Sequence, residues 1–172
     1  MISVNAPFAL PRKVRANPDW FKLERNLITY NDPELHAMEQ IGDIAIGRAR
    51  DLARLFSLVM SGDIISKGLL GRFREPAQGT SGIDAVLCAT FPKGHGFVYE
   101  SHPSGGNRWL VGHPGYGGTS LMMDLDEGVV IAYVSNGLKT GLGDQAGTYK
   151  RLRNAVFKCV DAQKKKKNTL LK

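Results

Sequence analysis

The stretch "RWLVGHPGYGGTSLMMDLDEGVVIAYVS", residues 108–135, decides the fold. Its apolar runs are strand-like, and short glycine-rich or acidic turn signals separate them. Turns that short allow antiparallel hairpins but leave no room for crossover helices. Together with the residues upstream, the pattern predicts an antiparallel meander of strands at 84–90, 96–101, 108–112, 119–124 and 128–135.

Helical patterns precede the predicted sheet. The segment 48–61 places six apolar residues on one face of a 3.6-residue period, and Gly62 stands where such a helix would end. The six residues are Ala49, Leu52, Ala53, Phe56, Val59 and Met60. A shorter helix is predicted around "SKGLLGRF", with Ser66 as its N-cap.

A last amphipathic helix is predicted over residues 144–162. Its apolar stripe consists of Tyr149, Leu152, Ala155, Val156, Cys159 and Val160. The order of elements predicts an α+β fold, in which the C-terminal helix packs on an antiparallel sheet and other helices come before that sheet. Because the sheet has few strands, we expect open edges.

Three regions differ in composition. Residues 1–41 are rich in proline, asparagine and charge, which predicts an irregular N-terminal arm with at most one short helix. Residues 42–162 carry the periodic patterns and are predicted to form the domain. Residues 163–172 begin with "QKKKKN" and are expected to be a basic, disordered tail. This tail contributes much of the formal net charge of +7.

Composition limits the class of protein. With 42% hydrophobic and 23% charged residues, the chain is typical of soluble globular proteins. It contains no run of ~18 apolar residues, so no membrane span is predicted. No aromatic residues interleave with the tail lysines, which argues against specific nucleic-acid binding.

The cysteines and histidines suggest neither a disulfide nor a metal. Cys88 and Cys159 both lie in apolar surroundings and are predicted to be buried free thiols, which favours the cytoplasm. A basic, acid-free start leaves a mitochondrial presequence as the alternative, although its prolines oppose a helix. The histidines lack ligand-type spacing, so no metal or other cofactor is expected.

The segment "GHPGYGG", residues 112–118, has the most unusual chemistry. On the residues alone, His113 is either a pocket-lining hydrogen-bond donor or a turn histidine that is bonded locally and inert. Trp109 and Tyr116 are interpreted as packing residues. The remaining histidines, His36, His95 and His102, are interpreted as loop residues.

Two blocks resemble a known family. "IGRARDLARLFSLVMSGDIISKGLL", residues 46–70, is similar to a late helix of serine β-lactamase-related proteins. "VGHPGYGGTSLMMDLDEGVVIAYVSNGL", residues 111–138, resembles the block that follows that helix there. The resemblance covers roughly residues 40–160 and is nearest to class C, esterase-like members from animals, especially nematodes. It implies the C-terminal part of a β-lactamase/transpeptidase-like fold.

The resemblance also implies a chemistry of ester or amide hydrolysis. Such enzymes use an S-x-x-K serine nucleophile, a Y-x-N tyrosine and a K-T-G strand, which is H-x-G in esterase-like members. His113, Pro114 and Gly115 match H-x-G, on a strand expected at the sheet edge that faces the pocket. The backbone N–H of Tyr116 would donate to the oxyanion, and Pro114, Gly115 and Gly117 would contact the ester, amide or peptide ligand.

The nucleophile segment is missing. No serine of the chain begins S-x-x-K, and no tyrosine begins Y-x-N. Lys139–Thr140–Gly141 spells K-T-G, but it follows the last predicted strand, so its context is wrong for the motif. We therefore expect a truncated family member that is inactive alone. The alternative is a non-catalytic binding or scaffold protein that uses the pocket-edge strand, or that self-associates through an open sheet edge.

Overall fold

A computed structural model describes residues 27–38, 42, 45–80, 82–87 and 89–170, with two isolated positions, 10 and 13. The chain divides into two compact units. The first unit comprises residues 1–47 and 83–90, and the second comprises residues 48–82 and 91–172. None of the helices in the described part of the chain combines the length and apolar character needed to cross a membrane.

The first unit contains short elements only. A 3-10 helix, Leu27–Asn31, leads into helix α1, Pro33–His36, whose first turn is capped by the Asp32 carboxylate. Strands β1, Ile83–Asp84, and β2, Ala89–Thr90, form a two-stranded antiparallel ladder.

The predicted single strand at 84–90 is therefore wrong. Asp84 Oδ1 accepts the backbone N–H groups of Val86 and Leu87, at 2.8 and 2.9 Å, and these bonds fold the chain back into a turn. Cys88, predicted to be a buried thiol, lies outside the described residues.

The second unit is built on a five-stranded antiparallel sheet in the order β3-β4-β5-β6-β7. Its strands are β3 Lys93–Gly94, β4 Phe97–Ser101, β5 Trp109–Pro114, β6 Ser120–Asp124 and β7 Val129–Tyr133. Each strand pairs with the next one along the chain, which confirms the predicted meander from residue 96 onward. β5 continues two residues further than predicted and includes His113 and Pro114.

Helix α2, Ala49–Ser61, covers one face of the sheet and ends at Gly62 in the left-handed conformation, as predicted. Its predicted inner residues are buried or half-buried, whereas Leu55 and Leu58 are exposed. The core on this face contains Val59, Phe73, Tyr99, Val111 and Met123. Helix α3, Lys67–Gly71, follows, and Ser66 Oγ accepts the Leu69 N–H at 3.2 Å, which confirms the predicted N-cap.

Helix α4, Gly147–Leu170, covers the opposite face. Its Tyr149 and Phe157 pack against Leu110, Met122 and Ile131 of the sheet. The sheet is thus enclosed by helices on both faces, and the α+β prediction with a C-terminal helix packed on an antiparallel sheet is confirmed.

The buried stripe of α4 differs from the prediction. Leu152, Ala155 and Cys159 are exposed, whereas Arg153 and Phe157 are buried in their place. Cys159 is therefore not the buried thiol that its apolar neighbours suggested. The stripe is shifted because Arg153 finds a buried acidic partner on the sheet, so this charged residue faces inward.

The lysine run also differs from the prediction of a disordered tail at 163–172. α4 continues through it to Leu170, although residues 162–170 are all exposed. Lysine and glutamine favour helix, and positive charge near a helix C-terminus interacts favourably with the helix dipole. Lys164 also forms an ion pair with Glu127 of the β6–β7 turn.

Candidate functional site

The candidate site begins where β5 extends beyond its neighbour β4. Pairing with β4 ends at Val98↔Gly112, whereas pairing with β6 continues to Pro114↔Ser120. β5 is an interior strand, so the prediction of an edge strand is wrong. Its last two residues nevertheless pair with β6 alone, and the missing N–H of Pro114 costs no bond to β4.

His113 points to the α2 side of the sheet. Successive residues of a strand alternate between faces, and Val111, two residues earlier, belongs to the core on that side. The imidazole is exposed, and its Nδ1 lies 2.7 Å from the Pro114 carbonyl oxygen. Because a carbonyl only accepts, Nδ1 donates this bond, and Nε2 is the nitrogen available to another group. His113 thus combines both interpretations from the sequence: it makes a local hydrogen bond, and its ring is exposed so that Nε2 can contact another group.

The turn after β5 depends on glycine. Gly117 and Gly118 have φ values of 76° and 84°, which side-chain-bearing residues rarely adopt. Gly115 N–H donates to the Thr119 carbonyl at 2.8 Å, and a Cβ at Gly115 would overlap the Thr119 side chain. The Tyr116 side chain is 51% exposed, so it does not fill the core as a packing residue would.

Trp109, at the other end of β5, does pack as predicted. Its ring meets Tyr99 edge-on, with the centroids 6.3 Å apart, in the core beneath α2.

The Beta-lactamase family model matches residues 11–155, which is most of the chain. The chain belongs to the β-lactamase family. No curated protein and no solved structure matched it. The family predicted from the two sequence blocks is thereby confirmed.

The literal K-T-G of this β-lactamase family member lies in the loop after β7, as its sequence context indicated. Lys139, Thr140 and Gly141 belong to no strand, and they precede a 3-10 helix, Gly143–Gln145. The Lys139 backbone N–H donates to the Gly117 carbonyl at 2.8 Å, so this loop contacts the turn that follows the H-x-G residues.

A buried ionic cluster that the sequence did not reveal lies on the α4 side. Glu100 Oε2 accepts from Arg153 Nη1 at 2.8 Å and from the Tyr149 hydroxyl at 3.1 Å. The Glu100 and Arg153 side chains are 9% and 5% exposed. Burial raises the pKa of Glu100 even though Arg153 opposes this change, and burial together with the Glu100 charge raises the pKa of Tyr149.

His102 lies in the loop after β4, as predicted, but its side chain is buried in a second cluster. Its Nε2 lies 3.0 Å from Asp124 Oδ2, and its Nδ1 accepts the Ser104 N–H at 3.1 Å. Nε2 therefore carries the proton in the neutral ring. Arg108 Nη2 also bonds Asp124 Oδ2, at 2.9 Å. Burial lowers the pKa of His102, with the Arg108 charge as a further cause.

The remaining histidines stay outside the candidate site. His95 is exposed and lies in the turn between β3 and β4, as predicted. His36 is also exposed, but it is the last residue of helix α1, so its prediction as a loop residue is wrong. In the described part of the chain, no group of three or more histidine, cysteine or acidic side chains is arranged to hold a metal ion.

A groove of about 160 Å³ lies at the start of β5, away from His113. It is lined by Arg74, Glu75, Asn107, Arg108, Trp109, Leu125 and Asp126. Arg74 pairs with Asp126, and Arg108 pairs with Asp124 and Glu127, so both cations that line the groove already have acidic partners. The end of β5 and the turn that follows it, residues 113–118, which we call the H-x-G turn, remain the candidate site.

Proposed function

We propose that residues 113–118 form one wall of the pocket of a β-lactamase-related serine hydrolase of the class C, esterase-like type, with esters or amides as substrates. The single observation that carries this proposal is the end of β5. There β5 extends beyond the last residue that pairs with β4, and it carries the exposed His113. A turn that depends on glycine follows directly. An exposed polar side chain at a strand end where β4 no longer pairs suits contact with a bound acyl group.

The residues of this wall have distinct proposed roles. The bond from His113 Nδ1 to the Pro114 carbonyl fixes the ring, so that Nε2 can meet a ligand oxygen. The Tyr116 backbone N–H is the proposed oxyanion donor. Pro114, Gly115 and Gly117 are the proposed ligand contacts. The two glycines let the turn fold tightly against Thr119 and Leu138, whose side chains occupy the space of a Cβ, and Pro114 holds the strand end rigid.

The proposed activity needs a nucleophile that this sequence does not supply. No serine in the 172 residues begins the S-x-x-K motif that activates the family's nucleophile. Without the nucleophile no covalent acyl-enzyme can form, and the rate falls by many powers of ten. We therefore propose that this chain by itself binds acyl ligands weakly and does not hydrolyse them.

Two measurements test this function. The chain is incubated with nitrocefin and with p-nitrophenyl butyrate, and product release is expected to equal that of buffer. Butyramide is then titrated while amide and imidazole resonances are followed by NMR. We expect the Tyr116 amide and the His113 ring to shift in the unaltered chain and in His36→Ala. In His113→Ala we expect no shift of the Tyr116 amide. Turnover that His113→Ala abolishes, or no shift at the turn, would overturn the proposal.

A second candidate, a non-catalytic scaffold that self-associates, rests on β7. This strand ends the sheet order, and in the part of the chain that the structure describes no strand pairs with its outer edge. Val129–Tyr133 contains neither charge nor proline, the usual protections of an edge. Pairing with β7 of a second copy would cover it. Light scattering that shows a dimer growing with concentration supports this candidate, and a monomer throughout contradicts it.

A further inference from the structure

The segment between β7 and α4 lies directly against the candidate pocket wall. We call residues 138–146 the support segment. Besides the bond from Lys139 N–H to the Gly117 carbonyl, a Cβ at Gly117 would overlap the Leu138 side chain. A Cβ at Gly118 would lie 2.9 Å from Lys139 Cβ and 3.3 Å from Ala146 Cβ. The turn and the support segment are thus in close contact at several positions.

Gly143 connects this segment to the buried glutamate. It is buried, with φ of 53°. A Cβ at Gly143 would overlap Glu100 Oε1 and would lie 3.5 Å from Pro114 Cβ. The Gly143 backbone therefore fits between the carboxylate on β4 and the proline of the H-x-G motif.

The two carboxylate oxygens of Glu100 have different surroundings. Its Oε2 is bonded by Arg153 and Tyr149 of α4. Its buried Oε1 has no hydrogen-bond partner among the described residues and faces Gly143. Glu100 is therefore held through Oε2, while Oε1 is in close contact with the Gly143 backbone.

We propose that Glu100 is a positioning residue of the pocket, which acts through Gly143 and the support segment to set the place of Pro114, His113 and the Tyr116 amide. This inference rests on the proposed function of residues 113–118. It also assigns a structural role to Lys139, Thr140 and Gly141, because these residues belong to the support segment beneath the turn and do not line the pocket.

The test compares two pairs of variants of the full chain. Gly143→Ala adds a Cβ between Glu100 and Pro114, whereas Gly137→Ala adds one in the same loop near only the mobile end of Lys139 and the Ser135 hydroxyl. Glu100→Ala removes the carboxylate, whereas Glu100→Gln keeps its size and an acceptor for Arg153. The readouts are the amide resonances of Tyr116 and Gly117 without ligand, and the affinity for butyramide.

We expect Gly143→Ala and Glu100→Ala to move both amide resonances and to weaken butyramide binding about tenfold, or ~1.4 kcal/mol. Gly137→Ala and Glu100→Gln should stay close to the unaltered chain in both readouts, and rescue by glutamine separates positioning from charge. If Gly143→Ala moves the amides no more than Gly137→Ala does, the inference is overturned.

Failure of this inference is distinguishable from failure of the proposed function. If the unaltered chain does not bind butyramide, the proposed function fails, while the ligand-free amide shifts still decide whether Glu100 and Gly143 position the turn. If Glu100→Ala does not fold, as judged by circular dichroism, the inference is tested by comparing the amide shifts of Gly143→Ala with those of Gly137→Ala.

Discussion

Replacing Asp124, the last residue of β6, by alanine should destabilise the fold much more than replacing Asp126 in the turn that follows. The Asp124 side chain is 1% exposed and its two oxygens accept four hydrogen bonds. Oδ2 accepts from His102 and Arg108, at 3.0 and 2.9 Å. Oδ1 accepts the backbone N–H groups of Asp126 and Glu127, at 2.9 and 3.1 Å.

The expected cost follows from what each donor can do once the carboxylate is gone. The buried Nε2–H of His102 loses its partner, which costs about 1–3 kcal/mol. Arg108 keeps its bond to Glu127 and is 28% exposed, so its loss is small. The two backbone groups lie in a turn that water can reach. Allowing about 0.5–1 kcal/mol for each of these two smaller losses, the sum is about 2–5 kcal/mol.

Urea unfolding followed by tryptophan fluorescence and circular dichroism measures this difference in the free energy of unfolding. Asp126→Ala is the matched control, because that carboxylate is in the same turn, is 48% exposed and pairs with Arg74 on the surface. The control should lose at most ~1 kcal/mol. If Asp124→Ala unfolds completely, Asp124→Asn gives a graded value, because the amide keeps one acceptor but turns a donor toward His102. Equal losses in the two alanine variants would refute the reasoning.

Two further predictions concern pH and a helix end. Burial lowers the pKa of His102, so the unfolded chain binds this proton at higher pH than the folded chain does. The free energy of unfolding should therefore decrease as pH falls below ~6.5, and it should decrease less in His102→Gln. Urea unfolding between about pH 7 and 5 measures both slopes. A slope that is equal in the two proteins would contradict this. Gly62→Ala should lower the free energy of unfolding by about 1–2 kcal/mol, because Gly62 has a φ of 92°. Gly68→Ala should raise it by about 0.5–1 kcal/mol, because Gly68 lies inside α3 with open space around it. Midpoints that move in the same direction would contradict the left-handed assignment.

Local patterns predicted most of the second unit. The strands β4 to β7 and helices α2 and α3 follow from periodicity, turn residues and caps, each of which depends on neighbours in sequence. The end of β5 was missed because Gly112, His113 and Pro114 have the composition of a turn. The run at 84–90 was misread because the turn-forming side chain, Asp84, stands at the start of an otherwise apolar segment.

The two buried clusters could not be predicted because their partners are far apart in sequence. Arg153 looks like a surface residue until Glu100, 53 positions earlier, is placed opposite it on β4. His102 and Asp124 are separated by 22 positions and meet only after β4, β5 and β6 have paired. The H-x-G turn could be found as a motif, but its contact with the support segment needs the coordinates of both loops.

The order of the strands has a consequence for folding during synthesis. Every strand from β3 to β7 pairs with the next one made, so the sheet can assemble hairpin by hairpin with little loop-closure entropy. Helix α4 follows β7 and is the last of these elements to leave the ribosome. Until it docks, Leu110, Met122 and Ile131 form an uncovered apolar surface on the nascent chain. That surface is where a chaperone would bind, and where premature termination of translation would leave an aggregation-prone product.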